Sequence, residues 1–206
     1  MENFDRKKHW ENIYENKPLT DVSWYQPTPQ TSLDYFKDLN ISMGAKIIDI
    51  GGGDSFLVDH LLDLGYDNIT VLDISNAAVV RAKERLGSRA PKVTFIVSDI
   101  SDFVPETTYD VWHDRAAFHF LTQKDEVTNY VEKTRKALKT GGNLIIGTFS
   151  ESGPLKCSGI EITQYSEHRL SKAFDERFEK ISCLTINHPT PFDTVQNFIF
   201  CSFRAI

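Results

Sequence analysis

The sequence predicts an α/β fold with a mostly parallel sheet, and two observations support this prediction. Short apolar, β-branched segments alternate with helical patterns between residues 45 and 149, which is typical of βα units around a parallel sheet. Two further strand-like segments, 177–187 and 194–204, are separated only by HPTPFD, which is too short for a helical crossover. We therefore expect these last two segments to pair as an antiparallel hairpin.

The individual elements follow from apolar spacing and from cap residues. Residues 46–50 (KIIDI) form the first strand, and the helix after it, over 56–65, ends at Gly65. A strand over 68–73 precedes a helix over 75–87 that has Ser75 as its N-cap. Further strands are predicted over 92–99, 109–114 and 143–149, and a long amphipathic helix over 124–142, ended by its glycines, connects the last two.

Length and charge limit the classes of function. The 206 residues are 40% hydrophobic, so we expect one domain over 1–206, with a helical and aromatic lid in residues 1–40 and an α/β core in residues 45–206. The polar opening MENFDRKKHW and the absence of an apolar run of about 18 residues predict a cytoplasmic protein without a membrane partner. A formal charge of -6 predicts no nucleic-acid partner. We expect a monomer or a weak dimer.

The three cysteines predict neither a disulfide nor a metal site. Cys157, Cys183 and Cys201 are an odd number and have no CxxC spacing, which argues against a disulfide framework and against a thiolate zinc site. We therefore expect reduced thiols and no metal.

A glycine-rich turn follows the first strand, in the stretch AKIIDIGGGDS. Such a turn lets backbone approach a ligand closely at the carboxyl end of the sheet. A nicotinamide dinucleotide fingerprint is broken because its third glycine would fall at Phe56, and a phosphate-binding loop is excluded because no lysine occurs between Lys46 and Lys83. Asp49 and Asp54 make the turn acidic instead. The turn therefore predicts a cationic, nucleotide-like cofactor without phosphate.

The same turn resembles the first motif of the class I S-adenosylmethionine-dependent methyltransferases, which is acid-x-Gly-x-Gly-x-Gly. Asp49, Gly51 and Gly53 match it, and Ser55 replaces the third glycine. The resemblance spans residues 45–206 and implies a doubly wound, seven-stranded sheet with helices on both faces and a C-terminal antiparallel hairpin.

The resemblance also implies S-adenosylmethionine as the cofactor and a role for each matching residue. The glycines pass the methionine part, Asp73 at the end of the second strand holds the ribose hydroxyls, and Asp99 after the third strand binds the adenine amino group. Asp73 lies about 20 residues beyond the turn, as expected for a ribose-binding acid, whereas the segment SDISDF around Asp99 could equally be a capped turn. The implied cofactor-binding residues are Asp49, Gly51, Gly52, Gly53, Asp73, Ile74, Asp99, Ile100 and Trp24.

A narrower resemblance covers the segments HWENIYENKPLTDVSWYQ, HDRAAFHFLT, GPLKCSGIEITQYS and HPTPFDTVQNFIFCSFR. They are similar to a group of small bacterial methyltransferases, distantly related to the tellurite/thiopurine and lysine methyltransferase-like branches, whose substrates are largely unassigned. This resemblance implies in-line methyl transfer to a nitrogen, oxygen or sulfur atom, and we expect a small-molecule acceptor. The alternatives are a lysine-type protein methyltransferase, a non-catalytic S-adenosylmethionine-binding protein and, from another class, a dinucleotide oxidoreductase.

The acceptor pocket is predicted between an aromatic segment, the end of the fourth strand and the later loops. Residues 22–30 contain prolines that exclude a helix, so we interpret them as a lid, with simple packing as the alternative. His113 and Tyr25 are the catalytic candidates, although a base is needed only if the acceptor arrives protonated. The candidate substrate-binding residues are Tyr25, Asp114, Arg115, Cys157, Tyr165 and His188.

Structural alternatives apply to several of these residues. A histidine at a strand end, such as His113, is more often a satisfied structural residue than a base. Arg115 could anchor an acidic substrate, but a salt bridge with Asp114 is the preferred reading. We expect His119 to pack within the segment AAFHFLT.

Overall fold

Residues 4–206 are described by a computed structural model, in which nine strands and six α-helices follow one another along the chain. The strands are β1 (Ile47–Ile50), β2 (Ile69–Asp73), β3 (Val93–Val97), β4 (Tyr109–Arg115), β5 (Leu138–Phe149), β6 (Lys156–Cys157), β7 (Ile160–Glu161), β8 (Phe178–Pro189) and β9 (Val195–Ala205). The helices are α1 (Arg6–Asn16), α2 (Gln30–Asp38), α3 (Leu57–Asp63), α4 (Asn76–Leu86), α5 (Lys124–Ala137) and α6 (Glu167–Phe174).

Seven strands form one sheet in the order β3-β2-β1-β4-β5-β9-β8. The first five strands in this order, β3 to β5, are parallel to one another, whereas β9 runs antiparallel to both β5 and β8. This arrangement confirms the predicted fold, including the C-terminal hairpin. The strand order reverses between β1 and β4, because β1 is followed by β2 on one side and β4 by β5 on the other side. A crevice therefore opens at the carboxyl ends of β1 and β4.

Each face of the sheet has its own hydrophobic core, and β4 contributes alternate residues to both. Trp112 belongs to the core that also holds residues of α5 and α6, and Val111 belongs to the core that holds residues of α2 and α3. Because successive side chains of a strand point to opposite faces, Asp114 lies on the side of Trp112 and His113 on the side of Val111. This alternation decides which predicted residues can reach the crevice.

Two helix predictions need correction. The fifth helix ends at Ala137, not at the glycines of 141–142, because Leu138 is buried and already pairs with Tyr109 as the first residue of β5. The segments that form α2 and α6 were not predicted as helices. Both bury one face: α2 buries Tyr35 and Phe36, and α6 buries only Leu170 and Phe174, a pattern too short to identify from sequence.

The prediction of three reduced cysteines is wrong for two of them. Cys183 on β8 and Cys201 on β9 are register partners in the antiparallel hairpin and form a disulfide, and Cys157 remains a free, buried thiol. The odd count and the missing CxxC spacing could not reveal this pair, because cross-strand neighbours depend on the hairpin register. Within residues 4–206, no helix combines the length and the apolar character needed to cross a membrane.

Candidate functional site

A cleft lies at the carboxyl ends of the parallel strands and contains about 1070 Å³ of empty space, partly open to solvent. Asp49 and Asp73, near the ends of β1 and β2, and Asp99, which follows β3, all line it. The resemblance to the methyltransferases implied that these three acids bind one cofactor. Further lining residues are Gly51, Gly52, Ile74, Ile100, Trp24, His113, Arg115 and Cys157.

The glycine turn places backbone directly against the cleft. The N–H groups of Gly51 and Gly52 both donate to the carbonyl oxygen of Leu72, at 2.8 and 3.3 Å, which ties the turn to β2. Gly51 has a φ of 63°, and a Cβ on Gly52 would lie only 2.6 Å from Oδ2 of Asp49. Side chains are therefore excluded where the turn meets the cleft. Gly53 does not line the cleft, because it lies behind the hydroxyl of Tyr14.

The two remaining polar residues of the turn serve the helices around it. Ser55, at the position of the missing third glycine, lines the cleft, and its Oγ accepts from the N–H of Leu57 at the start of α3. The carboxylate of Asp54 lies 3.1 Å from Nε of Arg81 on α4. Asp54 therefore makes the turn acidic without contributing to the cleft lining.

Asp73 is a buried carboxylate with partial hydrogen bonding. It is 4% exposed, and its Oδ1 accepts from the N–H of Ser75 at 2.8 Å. Burial, reinforced by the charges of Asp54 and Asp49, raises its pKa to about 7. The remaining acceptor capacity of this carboxylate is available to a donor that enters the cleft. Ser75 caps α4 as predicted, since its Oγ accepts from the N–H of Ala78.

Asp99 is placed at the β3 end of the cleft, beside Ile100. Its Oδ1 accepts from the N–H of Ser101 at 2.7 Å, so the capped turn considered as the alternative is present. The same carboxylate also lines the cleft. The capped turn therefore orients Asp99 and leaves its second oxygen for a ligand.

His113 is held between two side chains on its own face of the sheet. Its Nδ1 lies 2.7 Å from Oδ1 of Asp49, its register partner on β1, and its Nε2 lies 2.8 Å from Oγ of Ser32 on α2. His113 is 2% exposed and Ser32 is 1% exposed. Both ring nitrogens of His113 therefore form hydrogen bonds. The hydrogen-bonded series from Ser32 through His113 fixes the orientation of the Asp49 carboxylate. Ser32 has no signal in the sequence that would have identified it.

Arg115 does not pair with Asp114, which corrects the preferred reading of the sequence. The two neighbours point to opposite faces of β4, and the Asp114 carboxylate accepts instead from Tyr130 Oη at 2.6 Å and from the N–H groups of Ala117 and Phe118. Nη1 of Arg115 donates to the carbonyl oxygen of Trp24 at 3.2 Å, and its Nη2 is buried without a hydrogen-bond partner in the described part of the chain.

Helix α1, within the segment predicted as a helical and aromatic lid, contributes three residues to the lining of the cleft. Arg6, Trp10 and Tyr14 line the cleft, and their spacing of four places them on one helix face. That spacing was the available signal. The Trp10 ring is 5.7 Å from Trp24 and 5.1 Å from Phe120, with both contacts edge to face, so aromatic rings form one wall of the cleft.

Residues 22–30 are fastened to the C-terminal hairpin by His188. Its Nε2 lies 2.8 Å from the carbonyl oxygen of Ser23, and its Nδ1 lies 3.3 Å from Nε2 of Gln26. Because a carbonyl only accepts, Nε2 donates and Nδ1 accepts from Gln26, which is the neutral tautomer. Burial and the charge of Arg115 lower the pKa of His188, which favours the same form.

Four of the predicted acceptor residues do not line the cleft. Asp114 lies in the core on the opposite face, His188 lies behind the segment that it fastens, and the Tyr165 ring packs at 5.2 Å from Phe118. The ring of Tyr25 packs edge to face on Phe56, at 6.2 Å. Among the predicted substrate-binding residues, only Arg115 and Cys157 line the cleft.

Two further polar groups near Arg115, the Cys157 thiol and the His119 ring, are uncharged. Burial raises the pKa of the Cys157 thiol to about 12, and burial with the charge of Arg115 lowers the pKa of His119 to about 3. His119 packs edge to face on Phe120 at 4.6 Å, within the predicted segment, and also stacks on Phe149 at 4.6 Å. No cluster of three or more His, Cys, Asp or Glu side chains suited to a metal ion occurs in residues 4–206.

Comparison with known proteins agrees with this geometry. Residues 48–144 match a family model described as "Methyltransferase domain", a span that includes most of β1, the glycine turn and β2 to β4. The chain is 29% identical over 162 residues to the eEF1A lysine and N-terminal methyltransferase of Mus musculus, which covers 74% of the chain and 23% of that relative. It is 32% identical over 104 residues to malonyl-[acyl-carrier protein] O-methyltransferase 1 of Ilyobacter polytropus, covering 50% of the chain and 37% of that relative.

Solved structures share the whole fold at low sequence identity. One, from work on the conversion of a disulfide bond into a thioacetal group during echinomycin biosynthesis, has a TM-score of 0.79 at 20% identity and covers 97% of this chain and 92% of its own. The N-methyltransferase NodS of Bradyrhizobium japonicum WM9 has a TM-score of 0.73 at 16% identity and covers 98% and 99%. In its matching domain model and in this architecture, the chain is similar to the class I S-adenosylmethionine-dependent methyltransferases.

Proposed function

We propose that this chain binds S-adenosylmethionine in the cleft and transfers its methyl group to a small-molecule acceptor. The observation that carries the proposal is the convergence of Asp49, Asp73 and Asp99 on one cleft beside the side-chain-free backbone of Gly51 and Gly52. Three carboxylates favour a ligand with hydroxyl or amino donors and a positive charge. S-adenosylmethionine has ribose hydroxyls, an adenine amino group and a sulfonium, and the residues of the cleft fit it.

The proposed roles follow the order of the strands. Asp73 accepts from the ribose hydroxyls, Asp99 with Ile74 and Ile100 holds the adenine, and the glycine turn with Asp49 faces the methionine part. When bound, the cofactor supplies a methyl group on sulfur that needs no further activation. The chain's own contribution is to orient the acceptor and to exclude water, and alignment of two bound reactants can by itself lower the barrier by about 7 to 11 kcal/mol.

The aromatic wall supports a lid role for the segment before β1. Trp10 and Trp24 lie on the cleft, and aromatic faces attract a cation such as a sulfonium. His113 acts in this proposal as a positioning residue, because its hydrogen bonds to Asp49 and Ser32 orient the Asp49 carboxylate. The roles of His113 and Tyr25 as bases stay predictions. Neither side chain presents a free polar atom to the cleft.

Two acceptor classes are supported by relatives. The similarity to a malonyl-[acyl-carrier protein] O-methyltransferase favours the small-molecule class, and that to an eEF1A lysine and N-terminal methyltransferase favours a protein side chain. The chain spans about a quarter of the length of the latter, so that activity extends to this chain only as a second candidate. The unpaired cation Arg115 in the cleft favours the first class, because it repels a lysine ammonium. Cytoplasmic localisation and a monomeric or weakly dimeric state remain predictions.

Two measurements test the proposed function. Calorimetric titration with S-adenosylhomocysteine and S-adenosylmethionine should give saturable binding at micromolar to sub-millimolar concentrations, and no heat at millimolar concentration would refute cofactor binding. Incubation with methyl-labelled cofactor and separate pools of small molecules and proteins should then label the small-molecule pool. Labelling of protein alone would select the second candidate.

A further inference from the structure

Arg115 is a cation in the cleft that forms no ion pair within residues 4–206. Its Nη1 is used by the carbonyl oxygen of Trp24, and its guanidinium carbon lies 5.2 Å from the centre of the Phe198 ring. Nη2 is buried and has no partner, and none of the ion pairs within residues 4–206 includes Arg115. One donor of a charged side chain is therefore left unsatisfied beside the cavity.

The neighbours of Arg115 stabilise its charge only from a distance. Burial lowers its pKa to about 10 although the Asp49 carboxylate opposes this effect, so the guanidinium stays charged at pH 7. The Cys157 thiol is protonated there, and the Asp49 carboxylate is hydrogen-bonded to His113 and forms no ion pair with Arg115. A buried charge without a partner destabilises the folded protein. Arg115 therefore binds favourably an anion that enters the cleft.

We propose that Arg115 binds a carboxylate of the methyl acceptor and thereby makes the enzyme selective for small carboxylic acids. This inference rests on the proposed function. Arginine presents several N–H donors that match a carboxylate, and the rings of Trp24 and Phe120 on the same cleft suit an apolar or aromatic body. The carboxylate serves as an anchor, and the methyl group goes to another atom of the acceptor.

The cofactor also has a carboxylate, so its position must be distinguished from that of the acceptor. Arg115 contacts Trp24 and Phe198, which belong to the lid and to β9, on the side of β4 away from β2 and β3. The acids that we assign to the ribose and adenine lie at the end of β2 (Asp73) and after β3 (Asp99). This placement puts Arg115 in the acceptor half of the cleft.

The experiment compares carboxylates with their neutral, nearly isosteric amides. Phenylacetate with phenylacetamide, and indole-3-acetate with indole-3-acetamide, are titrated by calorimetry into the wild-type protein with and without saturating S-adenosylhomocysteine. We expect at least one acid to bind at least tenfold more tightly than its amide. Arg115→Met should abolish this preference and change the affinity for S-adenosylhomocysteine less than threefold.

A matched control is available on α6. Arg169 also donates from Nη1 to a main-chain oxygen, that of Gln164, and its guanidinium carbon lies 5.5 Å from the Tyr165 ring, but it is exposed and outside the cleft. Arg169→Met should keep the wild-type preference.

Three results would overturn the inference. The first is equal binding of acid and amide to the wild-type protein, which needs no variant to fold. The second is a preference that survives in Arg115→Met. The third is a loss of S-adenosylhomocysteine affinity of tenfold or more in that variant, which would assign Arg115 to the cofactor carboxylate. Failure of the wild-type protein to bind S-adenosylhomocysteine would instead refute the proposed function, and the titrations without it would still test Arg115.

Discussion

The pKa of Asp73 predicts how cofactor affinity depends on pH. This carboxyl group is protonated in half of the molecules near pH 7, because burial raises its pKa from 3.8 to about 7. If the ribose hydroxyls bind only the ionised form, about a tenth of the free protein is competent at pH 6 and most of it at pH 8. Affinity for S-adenosylhomocysteine should therefore rise about tenfold from pH 6 to pH 8.

Asp73→Asn removes this dependence and keeps the shape of the side chain. At pH 8 the variant loses a charged acceptor of the ribose hydrogen bonds, each worth about 1.5 to 3 kcal/mol, so its affinity should fall at least tenfold. At pH 6 the difference from the wild-type protein should shrink to a few fold. The ligand-free variant should also be at least as stable as the wild-type protein at pH 8, because a buried carboxylate with a raised pKa destabilises the folded state once it ionises.

Calorimetry at pH 6, 7 and 8 with wild-type, Asp73→Asn and Asp110→Asn proteins measures these effects. Asp110 is a suitable control because it lies at the far end of β4, where its carboxylate pairs with Lys139. Equal affinity of Asp73→Asn and wild-type protein at pH 8, with both folded, would refute the ribose role of Asp73. A wild-type affinity that does not change with pH would show that binding does not select the ionised carboxyl group.

Three further predictions concern the turn, the lid and the core. Gly52→Ala should weaken S-adenosylhomocysteine binding at least tenfold in calorimetry, because the new Cβ would lie 2.6 Å from Oδ2 of Asp49, whereas Gly44→Ala, with no atom within 4 Å of its Cβ, should bind normally. His188→Ala should accelerate amide hydrogen exchange in residues 22–30 without changing β1, and unchanged exchange would mean that other contacts hold the lid. Tyr130→Phe should lower the free energy of unfolding in urea by about 2 to 5 kcal/mol, because two buried groups lose their partner. The loss should be larger at pH 8 than at pH 5. Burial raises the pKa of Asp114 to about 6, and loss of the Tyr130 hydrogen bond raises it further, so that the ionised carboxylate destabilises the folded variant more at pH 8. An equal loss at both pH values would contradict this.

The amino-acid sequence by itself determined the sheet, the hairpin and the half of the cleft at the strand ends. Asp49, Asp73 and Asp99 each lie at or just beyond the end of a strand that is recognisable from its apolar run, and parallel strands bring their carboxyl ends to one edge. Local patterns of period two and 3.6 therefore predict where these side chains lie. The start of a helical pattern gives Ser75 its cap position, and the glycine spacing excludes a dinucleotide fingerprint because its third glycine would fall at Phe56.

The acceptor half was decided by tertiary contacts that join distant parts of the chain. Ser32 meets His113 across 81 residues, and Ser23 meets His188 across 165, distances over which no local pattern carries information. The register of β8 on β9 pairs Cys183 with Cys201, and the alternation of β4 separates Asp114 from Arg115. The strands themselves are recognisable from local sequence. The face on which each side chain lies, and the residues that cover it, depend on packing against elements whose positions the sequence alone does not give. For this reason the unpaired donor of Arg115 became visible only in the folded chain.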